Sequence, residues 1–234
     1  MAGVQDYWEF FDDFLGGGTF SASATTDPWV ITDTSSAGTT TYTRLDHGET
    51  SGAFRPGVAQ LAFDSQAEAQ NVCLSFGNKL AFDINSLRGF ECSLRLVGAA
   101  GSAKDSATTV AWGVTGDRDD AIDSIAVASI FRLASGSAVN TVVIENDDTV
   151  NTNDDVATGF TLTDSVWAKF KIDFSDLNDV KYYAGLATGQ LARVGNSTAM
   201  KMSSYTAGLQ PFFQLQKTSD ANTDALQIDY VRVW

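Results

Sequence analysis

The densest set of groups that could do chemistry lies between residues 145 and 155, where Glu145, Asn146, Asp147, Asp148, Asn151, Asn153, Asp154 and Asp155 crowd oxygen-bearing side chains together. Hard cations such as calcium take oxygen ligands, so Asp147, Asp148, Asp154 and Asp155 are the candidates for a metal. Their spacing departs from an EF-hand loop, which needs glycine at its sixth position and glutamate at its twelfth. Asp117, Asp119 and Asp120 form a second acidic group. Solvated turns are the commoner reason for such composition, with calcium as the alternative, and no other cofactor is implied.

The nucleophile and transition-metal chemistries have little to work with. The single histidine, His47, sits in the hydrophilic stretch RLDHGET. As a catalytic base it would need a nucleophile, an orienting acid and an oxyanion site, and no nucleophile-elbow sequence is present; a loop histidine facing solvent is the expectation. One histidine and two separated cysteines do not make a typical zinc site. In NVCLSFG, Val72, Leu74 and Phe76 share a face and turn Cys73 away; in GFECSLRLV, Cys92 belongs to the inward set with Phe90, Leu94 and Leu96. Opposite faces disfavour a disulfide, so two free thiols are expected, as in a reducing cytoplasm.

The elements that must position any site are strands. Period-2 alternation recurs along the chain, and helical periodicity is never sustained. About fifteen strands are predicted: Tyr7–Phe14, Thr40–Arg44, Val58–Phe63, Val72–Phe76, Lys79–Ile84, Phe90–Val97, Thr109–Thr115, Ser124–Leu133, Thr141–Glu145, Gly159–Thr163, Trp167–Phe174, Val180–Gly185, Gln190–Val194, Pro211–Lys217 and Ala225–Trp234. Within WAKFKIDF, Ala168, Phe170, Ile172 and Phe174 point one way and Trp167, Lys169, Lys171 and Asp173 the other. Val110, Trp112 and Val114 share a face, as do Ile125, Val127, Phe131 and Leu133. One wet and one dry face per strand predicts an all-β antiparallel sandwich forming one domain over 1–234. Residues 32–41 and 146–158 read as surface loops, and Asp64–Asn71 as one helical turn.

Fifteen basic residues against 29 acidic give a net charge of −14. Phosphate binding needs clustered Lys and Arg, so nucleic acid is not an expected partner, nor is an anionic membrane. The opening AGVQDYWEFFDDF lacks the basic start and apolar run of a signal peptide, and no stretch approaches the roughly 18 apolar residues of a membrane span. Synthesis and use without classical secretion are expected, which makes the sequon at Asn196 incidental.

Three segments carry a family resemblance: the opening YWEFFDDF, the pair WAKFKIDFSDLNDVKYYAG, and the closing LQPFFQLQK with LQIDYVRVW. Together they resemble concanavalin-A-like (LamG or laminarinase-like) jelly-roll proteins, which include lectins, glycosidases and structural proteins of tailed bacteriophages. The resemblance implies a jelly-roll β-sandwich with its first and last strands adjacent. Laminarinase-like enzymes carry E-x-D-x-E or E-x-D-x-x-E, with two carboxylates about 5–5.5 Å apart for a retaining mechanism. The glutamates here are Glu9, Glu49, Glu68, Glu91 and Glu145. Glu145-Asn146-Asp147 begins such a motif, but Thr149 and Val150 stand where its second glutamate belongs, so no catalytic residues are expected.

What remains is binding or assembly. Sugar-binding jelly rolls offer exposed aromatics, for which Trp8, Trp29, Trp167, Tyr183 and Tyr205 are candidates, although packing is the simpler reading for most of them, Trp29 included. The resemblance ranks a capsid decoration or cement protein first. It would bind the major capsid protein on the outside of a bacteriophage head as a homo-oligomer, a trimer by preference, after synthesis in the host cytoplasm. A carbohydrate-binding module recognising host glycans ranks second and an enzyme last.

Overall fold

The computed structural model describes residues 8–16, 18–23, 27–45, 57–98, 103–136 and 140–234. In chain order its strands are β1 (Phe10–Asp12), β2 (Gly18–Thr19), β3 (Val30–Asp33), β4 (Thr41–Leu45), β5 (Val58–Ala62), β6 (Glu68–Ser75), β7 (Phe82–Asp83), β8 (Gly89–Val97) and β9 (Thr108–Thr115). They continue with β10 (Val127–Leu133), β11 (Thr141–Asp148), β12 (Thr152–Thr161), β13 (Ala168–Asp173), β14 (Lys181–Leu186), β15 (Ala192–Val194), β16 (Gly208–Asp220) and β17 (Ala225–Val233). Among the described residues the one helical element is a 3-10 turn, Ile122–Ser124.

Every pairing is antiparallel, and the strands form two sheets. One runs β15-β14-β13-β8-β17-β5-β4-β2, with β1 also on β17; the other runs β12-β11-β10-β9-β16-β6-β3, with β7 on β16. Alternation decides what lies between them. Phe90, Cys92, Leu94 and Leu96 of β8, Phe170 and Ile172 of β13, and Ile228, Val231 and Val233 of β17 meet Val110, Trp112 and Val114 of β9 and Phe213 and Leu215 of β16 in one apolar core. As expected, the N- and C-terminal strands lie side by side, with Phe10 opposite Val233 and Asp12 opposite Val231. The last strand is interior, between β8 and β5.

Both cysteines are free and buried. Cys92 belongs to the main core, whereas Cys73 lies in a second apolar cluster with Ala111, Ile122, Ile125, Ala128, Ile130 and Phe212. This cluster occupies the outer face of the β16 sheet and overturns two expectations. Ile125 precedes β10 and joins Cys73, not the Val127 face, and the outer face of this sheet is not simply wet. The connection between β9 and β10 folds back over it and is pinned by side-chain amides. Gln214 Nε2 donates to the Asp120 carbonyl at 2.9 Å, Asn71 Nδ2 to the same oxygen at 3.2 Å, and Gln210 Nε2 to the Gly116 carbonyl at 2.8 Å.

Other segments also differ from expectation. Residues 146–158 are not a loop: β11 runs through Asp148, and β12 returns from Thr152 as an edge strand. An edge strand with little buried surface has no apolar alternation to announce it. Asp64–Asn71 makes no helical turn, because the Asp64 carboxylate accepts from Gln66 N (3.0 Å) and Gln70 Nε2 (2.6 Å) and leads into β6 at Glu68. Of Lys79–Ile84 only Phe82–Asp83 is strand.

Candidate functional site

The acidic stretch does not converge on a point. Asp148 is fully buried, and its carboxylate is consumed by the hairpin turn: it accepts from Val150 N (3.1 Å), Asn151 N (2.7 Å), Asn151 Nδ2 (3.0 Å) and Ser204 N (2.9 Å). Burial pushes this carboxyl up, but the donated hydrogen bonds outweigh it and the net shift is downward. Asp147 accepts from Thr149 N at 2.7 Å, while Asp154 and Asp155 are exposed on β12. Asp119 and Asp120 serve the β9–β10 connection, Asp119 accepting from Ala121 N and Asp120 pairing with Arg118. Among the described residues no three His, Cys, Asp or Glu side chains are grouped to hold a metal ion. Glu145 is buried in an ion pair with Arg132 at 2.9 Å, and burial raises its pKa against the opposing pull of that guanidinium. His47 and Glu49 lie outside the described residues.

The candidate aromatics divide. Trp29 is fully buried, its ring within 6.2 Å of Phe10, Phe14, Phe76 and Phe213 and its Nε1 donating to Asp12 Oδ2 at 2.7 Å. Trp167 is buried beneath the Arg95 guanidinium, and Tyr205 is half-buried with its hydroxyl on the Gly208 carbonyl. Trp8 is exposed and stacks on Phe82 at 5.1 Å. Tyr183 belongs to a larger constellation that the sequence did not announce.

That constellation is the outer face of the β17 sheet. Residues opposite one another in register share a face, and the registers give a row across six strands: Arg193 on β15, Tyr183 on β14, Lys171 on β13, Glu91 on β8, Arg232 on β17 and Phe11 on β1. Lys171 Nζ stands 5.6 Å from the Tyr183 ring centre and 5.5 Å from that of Trp234, and the Arg232 guanidinium 4.9 Å from Trp234. Tyr230 donates to Glu91 Oε1 at 2.6 Å and stacks against Phe11, which is 54% exposed. Burial, and then Glu91, raise the Tyr230 pKa, keeping the phenol a donor. Each cation–ring contact at such an exposed site contributes about 0.5–1 kcal/mol, so the rings hold the cations in place while leaving their charge outward.

This face has its own charge balance. Lys169, Lys171, Lys181, Arg193 and Arg232 stand on it against the in-strand carboxylates Glu91, Asp173 and Asp229, with Glu9 and Asp179 pairing with Arg232 and Arg193 at its rim. In a chain of net charge −14 it is a patch where cations balance carboxylates among aromatic rings. The arrangement offers charge and flat rings to a partner. Glu91 is held by Tyr230 between Lys171 and Arg232. The parts were present in KFKID and YVRVW, but only the strand order brings them into one row.

No protein-family model matches the chain, and no curated protein is similar to it in sequence. Solved structures are similar in fold. The carbohydrate recognition domain of Emp47p superposes with a TM-score of 0.56 at 11% identity, covering 92% of each chain. The exoplasmic/lumenal domain of VIP36 in its Ca2+/Man2-bound form gives 0.54 at 8% identity, over 92% of this chain and 85% of that one. A protein of unknown function from Shewanella oneidensis MR-1 gives 0.52 at 15% identity, over 96% and 85%. The chain has the concanavalin-A-like jelly-roll fold that its strands resembled.

Proposed function

We propose that this chain is a non-catalytic assembly protein that decorates the outside of a bacteriophage head and stabilises the shell. The observation that carries the reading is the in-register row from Arg193 to Phe11, a broad surface whose arginines and aromatics are of the kind enriched where proteins meet. Its residues are tied to one another in a way that suits contact more than turnover. The likeness of the opening and closing strands to virion jelly rolls supports the phage head as the place of assembly. The test is co-sedimentation of the purified protein with heads that lack it. Saturable binding at a fixed ratio per shell subunit, unchanged by added sugars, is expected; no binding at any ratio removes the reading.

A second reading is favoured by a separate observation, since one of the similar folds is a carbohydrate recognition domain and another was solved with calcium and Man2. Here the chain would bind host glycans, with or without calcium. A glycan array run in calcium and in chelator separates the two: reproducible hits together with no affinity for heads would put this reading first.

A further inference from the structure

We propose that the end of the sandwich where β16 turns into β17 contains a cage for a primary ammonium group, with the Lys217 side chain as its built-in occupant. Shortened to alanine at position 217, the chain takes a free alkylammonium ion into the same cage. The cage lies inside the sandwich, so its occupancy is independent of what the outer face of the β17 sheet binds.

Alternation along PFFQLQK carries Lys217 to the same face of β16 as Phe213 and Leu215, which belong to the core. Lysine is almost never fully buried unless its charge is met, yet Lys217 is only 1% exposed. Its Nζ donates to the main-chain carbonyls of Asp64 and Gln66, both at 2.8 Å, and of Asn222 at 3.1 Å. An ammonium has three N–H donors and no acceptor, so the count closes. The Phe63 ring stands 5.2 Å from the same nitrogen and adds a cation–ring contact. None of the three acceptors is a carboxylate. The cage therefore reads three N–H bonds on one positive charge, which describes a primary ammonium and not a quaternary one.

The carbonyls come from two crossings between the sheets. Asp64 and Gln66 belong to the β5–β6 connection and Asn222 to the β16–β17 turn. A third crossing, β8–β9, is tied to the second by Asp224, also 1% exposed, whose Oδ2 accepts from Asp105 N at 2.7 Å and Thr108 Oγ1 at 2.6 Å. The Asp224 carbonyl accepts in turn from Phe63 N at 3.2 Å, beside the cage. An empty cage would leave three buried carbonyls without a donor, and burying a polar group unpaired is costly. Occupancy of the cage thus holds the crossings together. Beyond Cβ the lysine side chain is three methylenes and an ammonium, the outline of n-propylammonium, which names the free ion that fits.

The test is urea unfolding of the purified full chain as wild type, K217A and K217M, each titrated with n-propylammonium chloride and, at equal ionic strength, with tetramethylammonium chloride. Both variants are expected to unfold at lower urea than wild type. Propylammonium is expected to raise the K217A midpoint saturably, the unfolding constant falling about elevenfold when the ion is at ten times its dissociation constant. Tetramethylammonium, with no N–H to donate, should leave that midpoint where it is. K217M keeps an apolar stem in the channel and has no ammonium, so it should stay destabilised and unresponsive, as wild type should stay unresponsive. If K217A is unfolded without additive, the same titration is read as recovery of the folded circular dichroism signal. A K217A protein indifferent to propylammonium, an equal response to both salts, or a K217M protein as stable as wild type would each overturn the proposal.

Discussion

The indole of Trp234 packs against Gly89, so close that a Cβ at position 89 would stand 2.3 Å from the ring. The same two residues exchange backbone hydrogen bonds, Gly89 N to Trp234 O at 2.9 Å and Trp234 N to Gly89 O at 3.1 Å. Gly89 thus keeps the C-terminal ring beside Lys171 and Arg232, and the cation–aromatic row depends on a missing side chain. Gly89→Ala is expected to lift the ring, costing about 1–3 kcal/mol as overpacking does. A change in tryptophan emission should accompany a melting temperature lower by several degrees. An unaltered spectrum and melt would show that Trp234 is not seated as described.

Trp29 anchors the other end of β1 through Asp12. Its ring fills the core among four phenylalanines, and its Nε1 reaches Asp12, whose other oxygen accepts from Phe14 N at 2.7 Å. Trp29→Ala is expected to cost about 3–5 kcal/mol. Asp12→Ala is expected to cost about 1–3 kcal/mol by leaving both donors without an acceptor. Because both act through the Trp29–Asp12 contact, the double variant should fall short of the sum in urea unfolding. Simple additivity would mean that the hydrogen bond carries little.

The inward faces of β8, β9, β13 and β17 were legible in the sequence because burial on one side imposes strict alternation, and so Phe170, Trp112 and Cys92 could be placed before any coordinates. The β11–β12 hairpin was legible only at its outer ends, Thr141–Glu145 and Gly159–Thr163, since the polar run from Asn146 to Asp155 carries no apolar alternation, although Val156 and Phe160 pack on the core. The Cys73 cluster was not legible, because it exists only where the 117–125 connection folds back over the sheet. The candidate site suffered the same loss. Tyr183 stood out as an aromatic, but its alignment with Lys171, Glu91 and Arg232 is a matter of strand order, which local pattern does not encode.

The cover over Cys73 can be opened by one amide. Gln214 Nε2 donates to Asp120 O and, at 2.8 Å, to Asn71 Oδ1, so Gln214→Ala removes one of the bonds that hold the connection down and frees Asn71, which makes another. Burial pushes the Cys73 thiol up to about 12, and labelling by iodoacetamide at mild alkaline pH should be slow in the wild type. In the variant the rate should rise about tenfold for each ~1.4 kcal/mol taken from the closed state. Cys92, in the main core, should stay unlabelled. Equal acceleration at both thiols would instead indicate global unfolding.

Asp148 ties acid stability to the acidic hairpin. Its folded pKa lies below the ordinary 3.8 because the four donated hydrogen bonds favour the carboxylate over the acid, in spite of burial. The unfolded chain therefore binds this proton first. The stabilisation is fully present above about pH 4–5 and is lost as pH falls through the folded value. Asp148→Asn removes the titration and turns an NH2 donor toward donors, Ser204 N or Asn151 N, at a cost of about 1–3 kcal/mol at neutral pH. Other depressed carboxylates, Asp64 among them, bend both stability curves alike, so the informative quantity is the wild-type-minus-variant difference in urea stability between pH 7 and pH 2.5. That difference is expected to be constant down to about pH 5 and to shrink below it. A difference that stays level to pH 2.5 would assign the cost of the substitution to geometry alone and leave the Asp148 charge without a role in the turn.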